Sequence, residues 1–523
     1  MLGPDEPRYV WIARAMARSG DWVTPRLYGQ PWFEKPILYY WLAAIGFRLN
    51  LPAEWAARLP SAFAALAAAV AVGWLAYKHY GAKPPIVAPA LAAVLFATTV
   101  GAIGFARAAT PDMLFSAFLA LAMASAATVL RHERLLSADG TSANQSNSLP
   151  LICFGGFLGF AILAKGPAAI ILAGGALAIW ILVTRNWRSA AKFFHPFALA
   201  SFCVIALPWY VLCSLRNPNF LRVFVLQHNF ERYLTPLFQH PQPFWFFIPI
   251  TLLALLPWTV LLWPAAREGM RLWSEKSWKD SPGFFFACWA GFPVLFFSFS
   301  QSKLPSYILP AVPPIALLCA IAFADVVASP ASQSILKWIG VAIAATWLAL
   351  GVSAAIWLRR LPAVEHDALR NSVWVAVAIA IVGALATAFL AWHGNADFVK
   401  LSVGLVTLLV IVAGFGVLPR LDPFISARWH AQLLRNDRHP ERIFIYHLPR
   451  AWDYGLAFYF GRELPEWSPD DPNPALVLTT PRSLAEIRKA RRFLGDLEEN
   501  YQGILYVPIQ PMPRSNVPNA SPR

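Results

Sequence analysis

Residues 150–184 read PLICFGGFLGFAILAKGPAAIILAGGALAIWILVT, with Lys165 as the sole charged side chain. A bilayer core takes about 20 apolar residues per helical crossing, so 150–164 alone is short for a full crossing, while the whole stretch is long for a single helix. Pro cannot keep the helical hydrogen-bond ladder going. Lys165-Gly166-Pro167 therefore predicts a tight turn between two crossings, 150–164 and 167–184.

Windows of the same kind recur on either side, at 54–77, 86–105, 112–130, 194–214, 244–264, 283–300, 305–328, 336–357, 371–392 and 399–418. The whole chain of 523 residues is 58% hydrophobic and 14% charged, with a mean hydropathy of +0.50. That is more apolar surface than a soluble domain can bury. The predicted class is a polytopic α-helical membrane protein with about twelve transmembrane helices.

The net charge of +15 does not point to nucleic acid, because Lys and Arg sit in short clusters between apolar runs and form no continuous basic face. Membrane topology and anionic lipid phosphate account for them. The five cysteines lie in or beside apolar segments without CxxC spacing, so neither a disulfide framework nor a thiolate metal site is expected.

Lys78 with Lys83, Arg131 with Arg134, Arg185 with Arg188 and Lys192, and Arg267 with Arg271, Lys276 and Lys279 fall on alternate connections. The positive-inside rule puts these in the cytoplasm and the others outside. Arg359 and Arg360 break the pattern. The outward set comprises residues 1–53, the turns at Arg107 to Asp112, at Lys165 and at Gln301 to Tyr307, the segment 215–243 and the C-terminal tail. No apolar segment precedes residues 1–53 to carry them across, so a further crossing upstream of residue 1 is expected.

Four regions follow. Residues 1–53 form an outward first loop with two interfacial amphipathic helices, 8–18 and 36–49, and residues 54–418 form the membrane domain. Residues 419–507 form a small soluble α/β domain, with strands at Arg442 to His447, Ala475 to Thr479 and Gly503 to Val507 and helices at Trp452 to Phe460 and Ser483 to Phe493. A disordered Pro-rich tail is expected over 508–523.

Charged groups at a membrane boundary are costly unless solvated, paired or used. Four groups qualify: Asp5-Glu6 with Arg8, Glu34-Lys35-Pro36, Asp112 in Thr110-Pro111-Asp112, and Ser302-Lys303-Leu304-Pro305-Ser306-Tyr307. Each also has a plain structural reading. Asp5 and Asp112 stand where helix-capping carboxylates stand. Lys35 and Lys165 can snorkel into water. Glu54 and Arg58 are spaced as a helix-surface pair. His228 is a loop histidine unless a carboxylate approaches it. There is no Gly-rich phosphate loop at a strand-to-helix junction and no DxD triplet.

Taken together, DEPRYVWIARAMARSGDWVTPRLYGQPWFEKPILYYWLAA (5–44), EWAARLPSA (54–62), ARAATPDM (106–113), AKGP (164–167), SQSKLPSYILPAVPPIALL (300–318) and LAFYFGRELP (456–465) resemble the aminoarabinose transferase (ArnT-like) family. That family belongs to the GT-C glycosyltransferases and is related to protein mannosyltransferases. The resemblance implies thirteen crossings, the first lacking here, and an outward cavity under two interfacial helices and a soluble C-terminal domain. It implies an inverting enzyme of the bacterial inner membrane that takes a sugar, aminoarabinose or similar, from undecaprenyl phosphate. The acceptor that the resemblance implies is a lipid, typically the phosphate of lipid A.

In that frame Asp5, Glu6 and Asp112 are the catalytic candidates. Lys35 is the first choice for the carrier phosphate, with Arg8, Arg58, Lys165 and Lys303 as further cations and Tyr307 as a hydrogen-bond donor. The family also suggests a divalent metal near the first outward loop, with Glu34 and His228 as candidate ligands. Burial against Tyr39 to Trp41 and neighbouring apolar helices would hold the isoprenoid tail, at about 0.8 kcal/mol per methylene.

Three alternatives remain, one of them a catalytically dead membrane scaffold in which Asp5→Asn would be silent. A transporter or lipid flippase would also have about twelve helices, but it would place ionisable groups near the bilayer midplane and show a repeat between halves. Here the carboxylates cluster in outward turns. Within glycosyl transfer, a protein Ser or Thr, a core sugar of lipopolysaccharide or another polyprenyl-linked glycan could replace lipid A as acceptor.

Overall fold

The computed structural model describes residues 1–80, 87–138, 148–234, 242–435, 442–471, 473–490, 498–499 and 504–509. Two helices open the chain, α1 (Asp5–Ser19) and α2 (Leu38–Arg48), close to the two interfacial stretches expected from amphipathicity. Between them lies a feature the sequence did not signal, a minimal hairpin of β1 (Arg26–Leu27) and β2 (Gln30–Pro31). Tyr28 (φ 50) and Gly29 (φ 81) both take the left-handed conformation that a tight two-residue hairpin turn requires.

Eight more helices carry the chain to residue 216: α3 (Ala53–Tyr80), α4 (Val87–Ala97), α5 (Val100–Arg107), α6 (Asp112–Ala138), α7 (Leu149–Lys165), α8 (Ala168–Thr184), α9 (Trp187–Phe193) and α10 (Pro196–Arg216). The helix breaks at Gly166 (φ 86) and Pro167, as the apolar run of 150–184 predicts. Helix α7 packs along α6 on one side and α10 on the other. Its glycines allow this. A Cβ on Gly155 would come within 1.9 Å of the Ala198 carbonyl oxygen, and one on Gly159 would meet Ile205 at 3.1 Å. Small residues permit such close helix approach in membranes, where dispersion rather than solvent exclusion drives association.

Every window predicted to cross a membrane contains helix, but not always a single straight one. Among the described residues seven helices are long and apolar enough to span, and two further spans are bent pairs. The first bend, 61° between 89–97 and 100–107, falls at Thr98-Thr99, where the Thr99 side chain accepts a hydrogen bond from the Ala102 amide and starts a new helix. The second is a 109° turn between Phe244–Ala254 and Trp258–Ser274. Helices Leu149–Lys165, Ala168–Thr184 and Pro282–Ser298 are apolar but shorter. On length and composition seven spans, or nine with the bent pairs, are met among the described residues, and the three shorter helices fall on the expected windows 150–164, 167–184 and 283–300. Hydropathy averages composition and does not register where a backbone turns.

The chain divides into two compact units that do not follow sequence order. One comprises residues 1–11, 358–373 and 411–523; the other comprises 12–357 and 374–410. In the first unit a four-stranded sheet has the order β3-β4-β6-β5, from β3 (Ile443–Ile445), β4 (Ala475–Thr479), β5 (Glu498–Glu499) and β6 (Leu505–Ile509). β3 runs parallel to β4, and β6 runs antiparallel to both β4 and β5. Helices Arg450–Phe460 and Pro481–Ala490 supply the connections, matching the α/β pattern read from alternating apolar runs. Leu456, Ile443, Leu478 and Tyr506 share one core, and Val477, Ile487 and Val507 share another. The tail expectation needs correction at its start: Pro508 and Ile509 belong to β6, with Pro508 opposite Leu476. Residues 510–523, and residues 491–493 of the expected helix, lie outside the described residues.

Candidate active site

In the larger unit the candidate side chains gather where helices end. Asp112 opens α6 after Thr110-Pro111, and Lys165 closes α7 before the Gly166-Pro167 break. Because α6 and α7 are neighbours joined in sequence, these two ends meet. Lys165 Nζ donates to Asp112 Oδ1 at 2.5 Å, with the side chains only 11% and 16% exposed. A charge-assisted bond this sheltered is much stronger than a surface pair. Two aromatic faces complete the setting of the ammonium, Tyr307 at 5.0 Å and Phe115 at 5.4 Å.

Tyr307 lies on a 3-10 segment, Pro305–Ala311, held to the N-terminal part of α6 by a hydrogen bond from Ser116 Oγ to the Leu309 carbonyl at 3.1 Å. Ser61 of α3 likewise donates to the Thr110 carbonyl at 3.2 Å. Three elements far apart in sequence thus fix the Asp112 turn. Arg58 sits one turn before Ser61 on α3.

Lys35 and Glu34 lie on the loop between the hairpin and α2, with Nζ 3.7 Å from Glu34 Oε1. Lys35 is near enough to act electrostatically on the Asp112 carboxylate. The segment leading into the hairpin is anchored by its backbone acceptors: Trp41 Nε1 donates to the Trp22 carbonyl at 2.8 Å and Trp209 Nε1 to the Val23 carbonyl at 2.9 Å. Phe33 packs edge-on against Phe220 at 5.2 Å. The Phe33 contact and the Glu34 partner restrain the loop that carries Lys35.

Lys303 is placed differently from the other cations. Its ammonium donates to the Ser300 carbonyl at 2.6 Å and the Gln242 carbonyl at 3.0 Å, and burial holds it below the ordinary lysine value. Two of its three donors tie backbone together, so its first task is to shape the loop that delivers Tyr307.

His228 is half-buried in a π-helical stretch, Arg222–Glu231. Among the described residues no three His, Cys, Asp or Glu side chains converge as a metal would require, and Glu34 faces Lys35. Glu34 and His228 do not by themselves supply a metal's ligand set.

In the smaller unit, Asp5 and Glu6 occupy the first turn of α1. Arg8 reaches back to Asp5 Oδ1 at 2.5 Å, with Arg8 9% and Asp5 52% exposed. The Arg8 guanidinium also lies 5.3 Å from the Tyr9 ring and 5.8 Å from the Tyr454 ring. Glu6 is buried and accepts from the Leu2 amide at 2.8 Å. Of the two carboxylates, Glu6 therefore closes the helix start and Asp5 keeps an accessible face.

Comparison with known proteins bears on the same motifs. Residues 2–224 match the family model of dolichyl-phosphate-mannose-protein mannosyltransferases. The undecaprenyl phosphate-alpha-4-amino-4-deoxy-L-arabinose arabinosyl transferase of Yersinia pestis is 30% identical over 422 residues, covering 79% of this chain and 72% of that protein. The chain belongs to the ArnT-like family of GT-C glycosyltransferases. The Edwardsiella ictaluri transferase of the same name is 34% identical over 317 residues, 61% of this chain and 54% of that protein. The ArnT-like chain thus spans about half the length of the first curated relatives it matches. Its fold matches the crystal structure of ArnT from Cupriavidus metallidurans in the apo state, with a TM-score of 0.75 at 23% identity, covering 97% of this chain and 94% of that one. The same ArnT bound to undecaprenyl phosphate matches with a TM-score of 0.73 at 22% identity, over the same shares.

Proposed function

We propose that this chain is an inverting glycosyltransferase of the bacterial inner membrane that moves a sugar, aminoarabinose or similar, from undecaprenyl phosphate to a lipid acceptor such as lipid A. The reaction would run on the periplasmic face, where the positive-inside pattern puts the turns bearing Lys35, Asp112 and Lys165. The observation that carries the reading is the sheltered Lys165–Asp112 pair under Tyr307, with Lys35 acting on the same carboxylate.

Transfer breaks the bond from the sugar C1 to a carrier phosphate oxygen and forms one to an acceptor oxygen. The electron pair of the broken bond stays on the phosphate, which needs fixed positive charge in a site of low dielectric. Lys35 and Lys165 would provide it, while Asp112 orients Lys165, and the Tyr307 hydroxyl would donate to the same phosphate. Arg58 is a further cation for this role, and Lys303 supports it by shaping the Tyr307 loop. Asp5, held by Arg8, would orient the acceptor when that is a phosphate and already anionic, or take its proton when it is a hydroxyl.

A protein acceptor is the second reading, favoured by the match of residues 2–224 to the protein mannosyltransferase model. Mass spectrometry of envelope glycolipids and envelope proteins from cells with and without this chain separates the two. The proposal predicts lipid A species heavier by one sugar in cells carrying the chain, lost with Lys35→Ala. Unchanged lipid A with newly glycosylated protein would move the acceptor to protein, and no change in either would remove the assignment.

A further inference from the structure

A cavity of about 470 Å³ opens between α7, α8, α9 and α10, and every side chain lining it is apolar. Its volume lies in the range of small-ligand sites, roughly 300–1,000 Å³. Gly174 on its wall has nothing within 4 Å of where a Cβ would stand, so the sequence leaves room there. On the opposite wall the close approach of Gly155 to Ala198 draws α7 and α10 together.

Helix α9 closes one end. Its sequence, WRSAAKF, turns Trp187, Ala190 and Phe193 into the cavity lining, and Phe193 packs on Phe154 at 5.1 Å. Arg188 and Lys192, spaced four apart, share a different face of the same helix. Arg185 ends α8 with φ 57, a left-handed position that usually carries glycine or asparagine. From Arg185 to His195 the chain holds three basic side chains and a histidine, and no acid. An apolar hole inside a bilayer would fill with any lipid tail. The basic rim at its mouth adds selection by headgroup.

We infer that this cavity is a structural lipid site, taking one acyl chain of an anionic glycerophospholipid whose phosphate lies against Arg185, Arg188 and Lys192. It is distinct from the carrier-phosphate site. Lys165 lies at the far end of α8, about 25 Å away along a helix of this length. The inference does not depend on which sugar or acceptor the chain uses.

The test is native mass spectrometry of the full purified chain, released from nanodiscs of phosphatidylglycerol and phosphatidylcholine in equal parts. The inference predicts one retained phosphatidylglycerol, with retention falling roughly fivefold for each cation removed in Arg188→Gln and Lys192→Gln. Gly174→Phe, or Ala178→Phe should the first fail to give monodisperse protein, fills the cavity and removes the retained lipid. Equal retention of both lipids, or retention unchanged when the cavity is filled, overturns the inference. So does loss in the basic variants alone, which would describe a headgroup patch with no chain site.

Discussion

Lys165 and Asp112 are 53 positions apart, and each looks ordinary in isolation, one a boundary lysine and the other a helix cap. Paired and sheltered, they depend on each other, because removing one partner strands the other's charge. Lys165→Met should lower stability by about 3 kcal/mol, read as a lower thermal midpoint. Restoring neutrality in the double variant with Asp112→Asn should recover part of the loss without recovering transfer. Asp5 behaves differently. Its pair with Arg8 is half exposed, and such pairs contribute about 0.2–1 kcal/mol. Asp5→Asn should therefore fold like the parent, by thermal midpoint and gel filtration, and lose transfer by at least two orders of magnitude. A large fall in stability would instead make Asp5 structural. The candidate list was legible at this scale because charged groups between apolar runs are rare. The pairing of Asp112 with Lys165, and the backbone duties of Lys303, were not, since they arise from contacts between distant turns that no local spacing encodes.

At the scale of elements, helices and strands followed from periodicity and turn chemistry wherever these were strong: β4 falls on Ala475–Thr479 as read, and α7 and α8 part at Gly166-Pro167. Failures came where the signal is weak, as in the two-residue strands β1 and β2 and in helices that bend inside one apolar window. Two predictions belong here. Gly155→Ala must push α7 from the Ala198 carbonyl and should cost about 1–3 kcal/mol, whereas Gly174→Ala, facing open space, should cost little; thermal midpoints of the two variants check this. Helix Arg450–Phe460 carries Asp453, whose carboxyl is pushed up to about 6, first by burial and then by Glu463 and Glu466. With the folded value above the unfolded one near 3.8, the folded state binds more protons between them, so stability falls as pH rises from about 4 to 6. Asp453→Asn should slow hydrogen exchange in β3 and β4 at pH 7.5 and leave it unchanged at pH 4.

The whole molecule combines a membrane-type helical unit, in which Lys35, Asp112, Lys165 and Tyr307 gather at helix ends, with an α/β unit that includes the first turns of α1. Composition alone announced the first unit, because so much apolar surface has no other solvent. It could not reveal that residues 1–11 pack with residues beyond 411, since nothing in a local pattern reports a partner that far along the chain. The proposed chemistry makes one demand of the complete assembly: positive charge must stand ready for a phosphate that leaves a sugar beside lipid. Reconstitution of the full chain in lipid nanodiscs with undecaprenyl phosphate aminoarabinose and lipid A, followed by mass spectrometry of the acceptor, tests this most directly. The account predicts lipid A heavier by one aminoarabinose, with free undecaprenyl phosphate released in step, and neither product from Lys165→Met or Lys35→Ala. Transfer by Lys165→Met at the parent rate, or an acceptor left unchanged by the parent protein, would contradict it.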